Sequence, residues 1–340
     1  MQRKDKARSH YRTFHHVFIY ITERCQLRCN HCYMGNRLDR PIDMSYEKTV
    51  NIMGYCRRLG AENITFVGGE PTLHDDLPQI VNYAVKLGYN NIYVDTNGLL
   101  IEKLKLVSPE SFTFIRVSLD GASAETHSQV RGEGTFEKTI SSIEELVVLG
   151  YKVAITSTIS QCNIHEALNI LPLADRLGVS LVNFHVLSEE GRGVTKSHWA
   201  LKPQDWIDFY ESIEKVKHKY STSIWYPPTW TTSQKIEKFV AEGYRGCLGC
   251  TLDRLSIFPD GTCYICSVLF DKPFYFGTMT DEGFVLNKNN NEFEIFTKAI
   301  FGACESWLSG CPAEKYLEEQ GKKKTSSEFI SICRCWKSQV

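Results

Sequence analysis

The sequence predicts an α/β protein built on a parallel sheet, and three observations predict it. Between residues 17 and 220, short apolar runs rich in β-branched residues alternate with amphipathic stretches of helical period, the pattern of consecutive βα units. Four helical stretches end in Leu-Gly, at Leu59-Gly60, Leu87-Gly88, Leu149-Gly150 and Leu177-Gly178, where glycine accepts the left-handed backbone that stops a helix. Polar or glycine-rich residues follow every predicted strand, at the edge where parallel sheets build their sites.

The predicted strands cover 17–21, 64–67, 92–95, 114–118, 153–157 and 181–185. Helical patterns cover 46–59, 77–87, 136–149 and 167–177, with Ser45 and Thr135 as expected N-caps. The third connection, around 99–106, carries a weaker pattern. Six βα units are two short of an eightfold barrel, so a partial barrel and a doubly wound sheet both satisfy the pattern. A charged amphipathic helix is expected over 203–220. The prolines and aromatics of Trp225-Tyr226-Pro227-Pro228-Thr229-Trp230 read as an extended connector.

The 340 residues allow one large or two medium domains, and 42% hydrophobic content is ample for a core. A net charge of −1 and the lack of a basic stripe argue against nucleic acid and anionic membrane as partners. No apolar run reaches membrane-spanning length. The basic N-terminus (Arg3, Lys4, Lys6, Arg8, Arg12) is not followed by an apolar segment of signal-peptide length. A cytoplasmic protein is expected. Its 13 cysteines are clustered at 25–32 and 247–335, with Cys56 and Cys162 apart. Paired short spacings point to metal ligation over a disulfide framework.

Cys25, Cys29 and Cys32 follow the first predicted strand. Thiolates suit zinc or iron–sulfur clusters. Three of them on a four-iron cubane leave one iron open to a small molecule; a zinc site completed by His31 is the alternative, although Cys-x3-Cys-x2-Cys is not a usual zinc spacing. Gly68-Gly69-Glu70-Pro71 follows strand two, Thr96-Asn97-Gly98 strand three and Ser118-Leu119-Asp120-Gly121 strand four. Glu70 suits an ammonium group, and Arg131 a carboxylate.

The Cys25-x3-Cys29-x2-Cys32 motif followed by Gly68-Gly69-Glu70-Pro71 resembles the radical S-adenosylmethionine (radical SAM) superfamily. Val117-Ser118-Leu119-Asp120-Gly121, His127 and Arg131-Gly132 resemble the branch that carries a C-terminal SPASM or twitch domain. The resemblance runs from about residue 16 to 336. It implies a partial (β/α)6 barrel with a smaller cysteine-rich α+β domain. The divisions are a basic tail at 1–15, the barrel at 16–222, a connector at 223–246 and the cluster domain at 247–340. It implies a [4Fe-4S] cluster on Cys25, Cys29 and Cys32, and SAM held by Gly68, Gly69, Glu70, Asn97, Ser118, Asp120 and Arg131, with His31 and Tyr33 near adenine. A 5′-deoxyadenosyl radical would then abstract a substrate hydrogen, after reduction by a flavodoxin or ferredoxin.

In the C-terminal part, Cys247-x2-Cys250-x12-Cys263-x2-Cys266 reads on spacing alone as a four-cysteine zinc ribbon. Cys250, Gly261 and Cys266 also fit the opening of the SPASM motif, and Gly310-Cys311-Pro312 a later piece of it. With Cys304, Cys311, Cys333 and Cys335 there are enough thiols for one or two auxiliary [4Fe-4S] clusters. Ser267 stands where sulfatase-maturing relatives place an aspartate, which argues against the same base. The family resemblance supports two readings: modification of a ribosomally made peptide by crosslinking, epimerisation or oxidation, and oxidation of a small sugar, aminocyclitol or nucleoside; a non-enzymatic redox or scaffold protein is the alternative of another class, against which the ordered Gly-Gly-Glu and Ser118/Asp120 elements count. About 15 residues precede strand one, too few for the small N-terminal peptide-binding domain of many peptide modifiers, which weighs against the peptide reading unless a separate partner delivers the peptide. No catalytic acid, base or hydrogen donor is assigned; Cys162 fits a core or surface thiol.

Overall fold

The computed structural model describes residues 14–232, 235, 254–266, 269–270, 275–287, 311 and 329–331. Six strands follow the expected positions, each a residue or two longer or equal: β1 (His16–Thr22), β2 (Asn63–Gly68), β3 (Asn91–Thr96), β4 (Phe114–Ser118), β5 (Val153–Ile159) and β6 (Leu181–Val186). A seventh, β7 (Ser223–Trp225), pairs parallel with β6. The sequence placed those residues in the connector, because three residues beside two prolines are too few to show a strand period.

The parallel strands lie side by side in chain order, β1 to β7. A doubly wound sheet reverses its order beside the first strand; this one does not, so the winding is that of a partial barrel. What lies on the other side of β1 is the C-terminal part. After β8 (Trp230–Thr231), strand β9 (Arg254–Ile257) pairs parallel with β1, and β10 (Thr262–Tyr264), β11 (Gly277–Thr280) and β12 (Gly283–Leu286) continue antiparallel from it. The two parts thus share one sheet of 11 strands. β8 makes a separate pair with β13 (Ile330–Ser331).

The helices are α1 (Tyr46–Arg58), α2 (Leu77–Lys86), α3 (Ala124–Arg131), α4 (Phe136–Val148), α5 (Ile170–Arg176) and α6 (Pro203–Val216). Thr49, Ile52, Met53 and Cys56 of α1 are buried at helical spacing, and Ser45 caps its start by accepting from Lys48 N at 3.2 Å. Thr135 does not cap α4; its hydroxyl donates to Gly132 O at 2.7 Å. The glycines after α1, α2, α4 and α5 all have positive φ, 70° to 95°. The third connection holds only short 3-10 turns. Helix α3, absent from the sequence reading, is capped by Ser123 and buries only Thr126, His127 and Val130; so few apolar residues give no periodic signal.

Strand alternation sorts the side chains onto two faces. Val17, Ile19, Ile21, Ile64, Phe66, Val94, Ile115, Val117, Ile155 and Phe184 are fully buried in the core. Most of the alternate residues are polar or aromatic and line the barrel lumen. The His16 ring stacks on Phe18 and Tyr93, at 4.4 and 5.6 Å between centroids. Arg116 lies 4.7 Å over Tyr93, donates to Thr65 Oγ1 at 2.8 Å and approaches Asp95 Oδ1 to 2.5 Å. Among the described residues no helix is long and apolar enough to cross a membrane.

Candidate active site

The cysteine loop leaves β1 and is seated on the turn that leaves β2. Gly69 N donates to Thr22 O at 2.9 Å and Glu70 N to Arg24 O at 2.8 Å. A Cβ at Gly68 would lie 2.3 Å from Thr22 O, and one at Gly69 2.4 Å from Arg24 O. Only glycine permits this approach. The paired glycines therefore bring two strand exits into contact.

Cys25 and Cys32 are partly exposed, Cys29 is buried at the loop's inner side, and each sulfur lies within electrostatic reach of another. Burial pushes the Cys25 thiol up to about 12 and raises Cys29 and Cys32 as well. As free thiols they stay protonated at neutral pH, so thiolates here require the charge of a bound metal. Among the described residues no three Cys, His, Asp or Glu side chains converge closely enough for a single ion. His31 Nε2 faces Asp120 Oδ2 at 3.4 Å, which leaves Nδ1 as the ring nitrogen without a partner.

Glu70 departs from the expected role. It is 1% exposed, and its carboxylate accepts from Thr72 N (3.2 Å), Thr72 Oγ1 (2.7 Å), Thr96 Oγ1 (2.7 Å) and Asn97 N (2.7 Å). Burial raises its pKa against those four donors. The side chain ties the exit of β2 to that of β3 rather than facing a ligand. Glu70→Ala should leave several buried donors unpaired, at about 1–3 kcal/mol each. Thermal unfolding measures the loss, and an unchanged midpoint would exclude this tie. Asn97 extends the network to the cysteine loop, its Oδ1 accepting from Gln26 Nε2 at 3.1 Å. Its Nδ2 is buried without a partner.

Asp120 and Arg131 also lie behind the loop. Asp120 is fully buried; Oδ2 accepts from Arg131 Nε at 2.6 Å and Oδ1 from Thr158 N at 2.7 Å. Burial alone would raise this carboxyl, but Arg131, His31 and the Thr158 amide bring it below the usual range. Arg131 Nη1 lies 4.0 Å from Cys29 Sγ, and Asn30 N donates to Val130 O at 2.9 Å. α3 thus braces the loop with a charge as well as a backbone bond. Asn163 joins β4 to β5 by donating to Asp120 O and Thr158 O at 2.7 and 2.9 Å.

Burial lowers the pKa of His31 to about 4, and that of His127 to about 4. His127 Nδ1 accepts from Asp120 N at 3.3 Å, which fixes the neutral imidazole. The unfolded chain, with histidine near 6.5, takes up this proton first as pH falls. Stability is therefore full above about pH 6.5 and is lost towards pH 4, by at most about 1.4 kcal/mol per pH unit. Urea unfolding of metal-free protein at pH 7 and pH 5 should show the loss, and His127→Gln should shrink it; an identical slope in the variant would contradict the assignment.

Ser118 pairs in register with Thr156, and Thr156 with Asn183, forming a polar row on the lumen face below the loop. Tyr33 reaches into the same space, its hydroxyl 3.1 Å from that of Tyr20. The loop that follows β6 was not foreseen. Arg192 N donates to Cys32 O at 2.9 Å, and Gly191 lies so near that a Cβ would meet Tyr33 O at 2.5 Å. Its signal was the Gly-Arg-Gly run at 191–193.

Of the C-terminal thiols, Cys263 is fully buried near Cys56, its Sγ 3.3 Å from Gly261 O. Cys266 and Cys311 are partly exposed. Cys247, Cys250, Cys304, Cys333, Cys335 and Ser267 lie outside the described residues.

Residues 19–161 match the sequence profile of the Radical SAM superfamily. Residues 19–161 form a radical SAM domain. The chain is 26% identical over 315 residues to the mycofactocin maturase MftC of Mycobacterium tuberculosis, covering 87% of this chain and 78% of that protein. It is also 26% identical over 256 residues to a probable GTP 3′,8-cyclase of Saccharolobus solfataricus, covering 73% and 81%. In fold it is similar to SuiB of Streptococcus suis bound to precursor peptide SuiA, with TM-score 0.70, 14% identity and coverage of 95% and 76%. Against SuiB bound to S-adenosylmethionine the TM-score is 0.64 at 16% identity, covering 77% of this chain and 62% of that chain. The residues of the radical SAM domain suit its cofactors: three cysteines form a soft, incomplete donor set, and the orphaned Asn97 Nδ2 and His31 Nδ1 flank it.

Proposed function

We propose that this radical SAM enzyme modifies a ribosomally made peptide. Cys25, Cys29 and Cys32 hold a [4Fe-4S] cluster, and SAM lies across the strand exits at Gly68, Gly69, Asn97 and Ser118, with His31 and Tyr33 on the adenine side. When bound, cluster and SAM supply the carbon radical that takes a hydrogen atom from substrate. The chain's own part is orientation and shielding. Asp120, Arg131 and Glu70 hold the loops from behind, while Asp95, Ser118, Thr156 and Asn183 give the lumen its polar lining. The C-terminal cysteines hold one or two auxiliary [4Fe-4S] clusters of the SPASM/twitch type, zinc being the alternative, and a flavodoxin or ferredoxin supplies electrons.

One observation carries the peptide reading: the match to a maturase extends over 87% of the chain, beyond the barrel and into the cysteine-rich part. The test is incubation of reduced, reconstituted enzyme with SAM and the short peptides encoded beside its gene, read by peptide mass. A mass change that requires SAM supports the reading. The equally similar cyclase favours a nucleoside substrate as the second reading, and conversion of GTP instead of any peptide would select it.

A further inference from the structure

We propose that the turn between β9 and β10, in the C-terminal part, is a working support of the radical SAM cysteine loop, acting through Arg37 and Arg40 on Glu23. The inference rests on the radical SAM reading but goes beyond it: the cluster site is incomplete without the C-terminal strands.

Four charged groups from both parts meet beside the motif. Glu23, two residues before Cys25, is fully buried. Its Oε1 accepts from Arg37 Nη1 at 2.9 Å and from Arg40 Nη2 at 2.7 Å. Both arginines also reach Asp260 Oδ2, at 3.4 and 3.3 Å. Arg37 is 5% exposed, and its guanidinium lies 4.0 Å over the Phe258 ring. Nη2 of Arg37 further approaches Thr262 Oγ1 at 3.4 Å and Tyr264 OH at 3.5 Å. Asp260 is itself aimed by Thr262, whose N–H and hydroxyl donate to Oδ1 at 2.9 and 2.6 Å.

Two arginines meet two carboxylates here, one from each part. Without Asp260, one buried carboxylate would face two guanidiniums. Arg37 and Arg40 belong to the segment that continues the loop after Cys32. From there Leu38 O accepts from Arg28 Nη2 at 3.1 Å, and Arg28 Nη1 donates to Cys25 O at 2.8 Å. Lys48 Nζ, at the start of α1, donates to Pro259 O at 2.8 Å. The turn thus touches both sides of the segment between Cys32 and α1. The parallel pairing of β9 with β1 keeps it at that height. Asp260 and Arg37 are positioning residues: they act on the cysteines through Glu23 and Arg28.

The test uses the full chain with Asp260→Asn, which keeps the shape and removes the charge, Arg40→Gln from the other side, and Asp260→Glu as the conservative variant. In metal-free protein, alkylation of Cys25, Cys29 and Cys32 and amide exchange over residues 23–40 should quicken in D260N and R40Q by about two- to tenfold. Exchange in α4 should not change, and D260E should restore most of the loss. In reconstituted protein, the SAM concentration giving half-maximal cleavage should rise by a similar factor at wild-type iron content. The double variant should add little to either single one, as groups of one network do. Wild-type rates in both variants would overturn the proposal. So would equal quickening throughout the chain, or iron loss in D260N alone, each of which assigns Asp260 a general folding role. Failure of the wild type to cleave SAM would instead reject the radical SAM reading, with the metal-free measurements still deciding the support.

Discussion

Cys29→Ala should abolish SAM cleavage while leaving iron bound in the C-terminal part. Cys29 is the buried cysteine of the three, and Arg131 lies beside its sulfur. Two remaining thiols do not hold a cubane against competing thiol and water ligands. Alanine also leaves the Arg131 charge facing an apolar gap. The expected result is no 5′-deoxyadenosine above background, iron lower by about four per chain, and a folded protein by circular dichroism. Undiminished 5′-deoxyadenosine would remove Cys29 from the cluster.

Arg131→Met should be the most destabilising single change in the site. Asp120 is fully buried, and it faces Arg131 at 2.6 Å and His31 at 3.4 Å. His31 is neutral at pH 7, with its pKa near 4. The variant therefore leaves a buried carboxylate with the Thr158 amide and the uncharged His31 ring as partners, at a cost of about 3–5 kcal/mol. Part of the loss should return in the double variant Asp120→Asn/Arg131→Met, because the stranded charge is gone. Denaturant unfolding of metal-free proteins reads both. A loss under about 1 kcal/mol would show that the pair is not what braces α3 against the loop.

The barrel strands were legible because each is an apolar run between glycine-bearing turns, and the Leu-Gly stops marked four helix ends within a residue. The cysteine spacing and the Gly-Gly-Glu turn were legible because they are contiguous. What a sequence does not display is direction. Glu70, Asp120 and Arg131 stand at the right strand exits, yet their side chains turn inward to bind one another's loops. The same polar residue types serve either purpose, and only the three-dimensional donor count separates them. Helix α3 was illegible for want of apolar residues, and β7 because it is three residues long. The pairing of β9 with β1 joins residues more than 230 positions apart, a register that no local pattern encodes. Asp260 stands in a Pro-Asp-Gly turn, with Gly261 at φ +89°; its ion pairs with Arg37 and Arg40, 223 and 220 positions away, were hidden by a similar separation.

The central claim is that this chain cleaves SAM reductively at Cys25, Cys29 and Cys32. The most direct test is anaerobic incubation of the reconstituted, chemically reduced protein with SAM, followed by chromatographic measurement of 5′-deoxyadenosine and methionine. The account predicts both products in equal amounts, dependent on reductant and absent from Cys29→Ala. Protein that binds its iron fully and yields neither product, with or without candidate substrates, would contradict it.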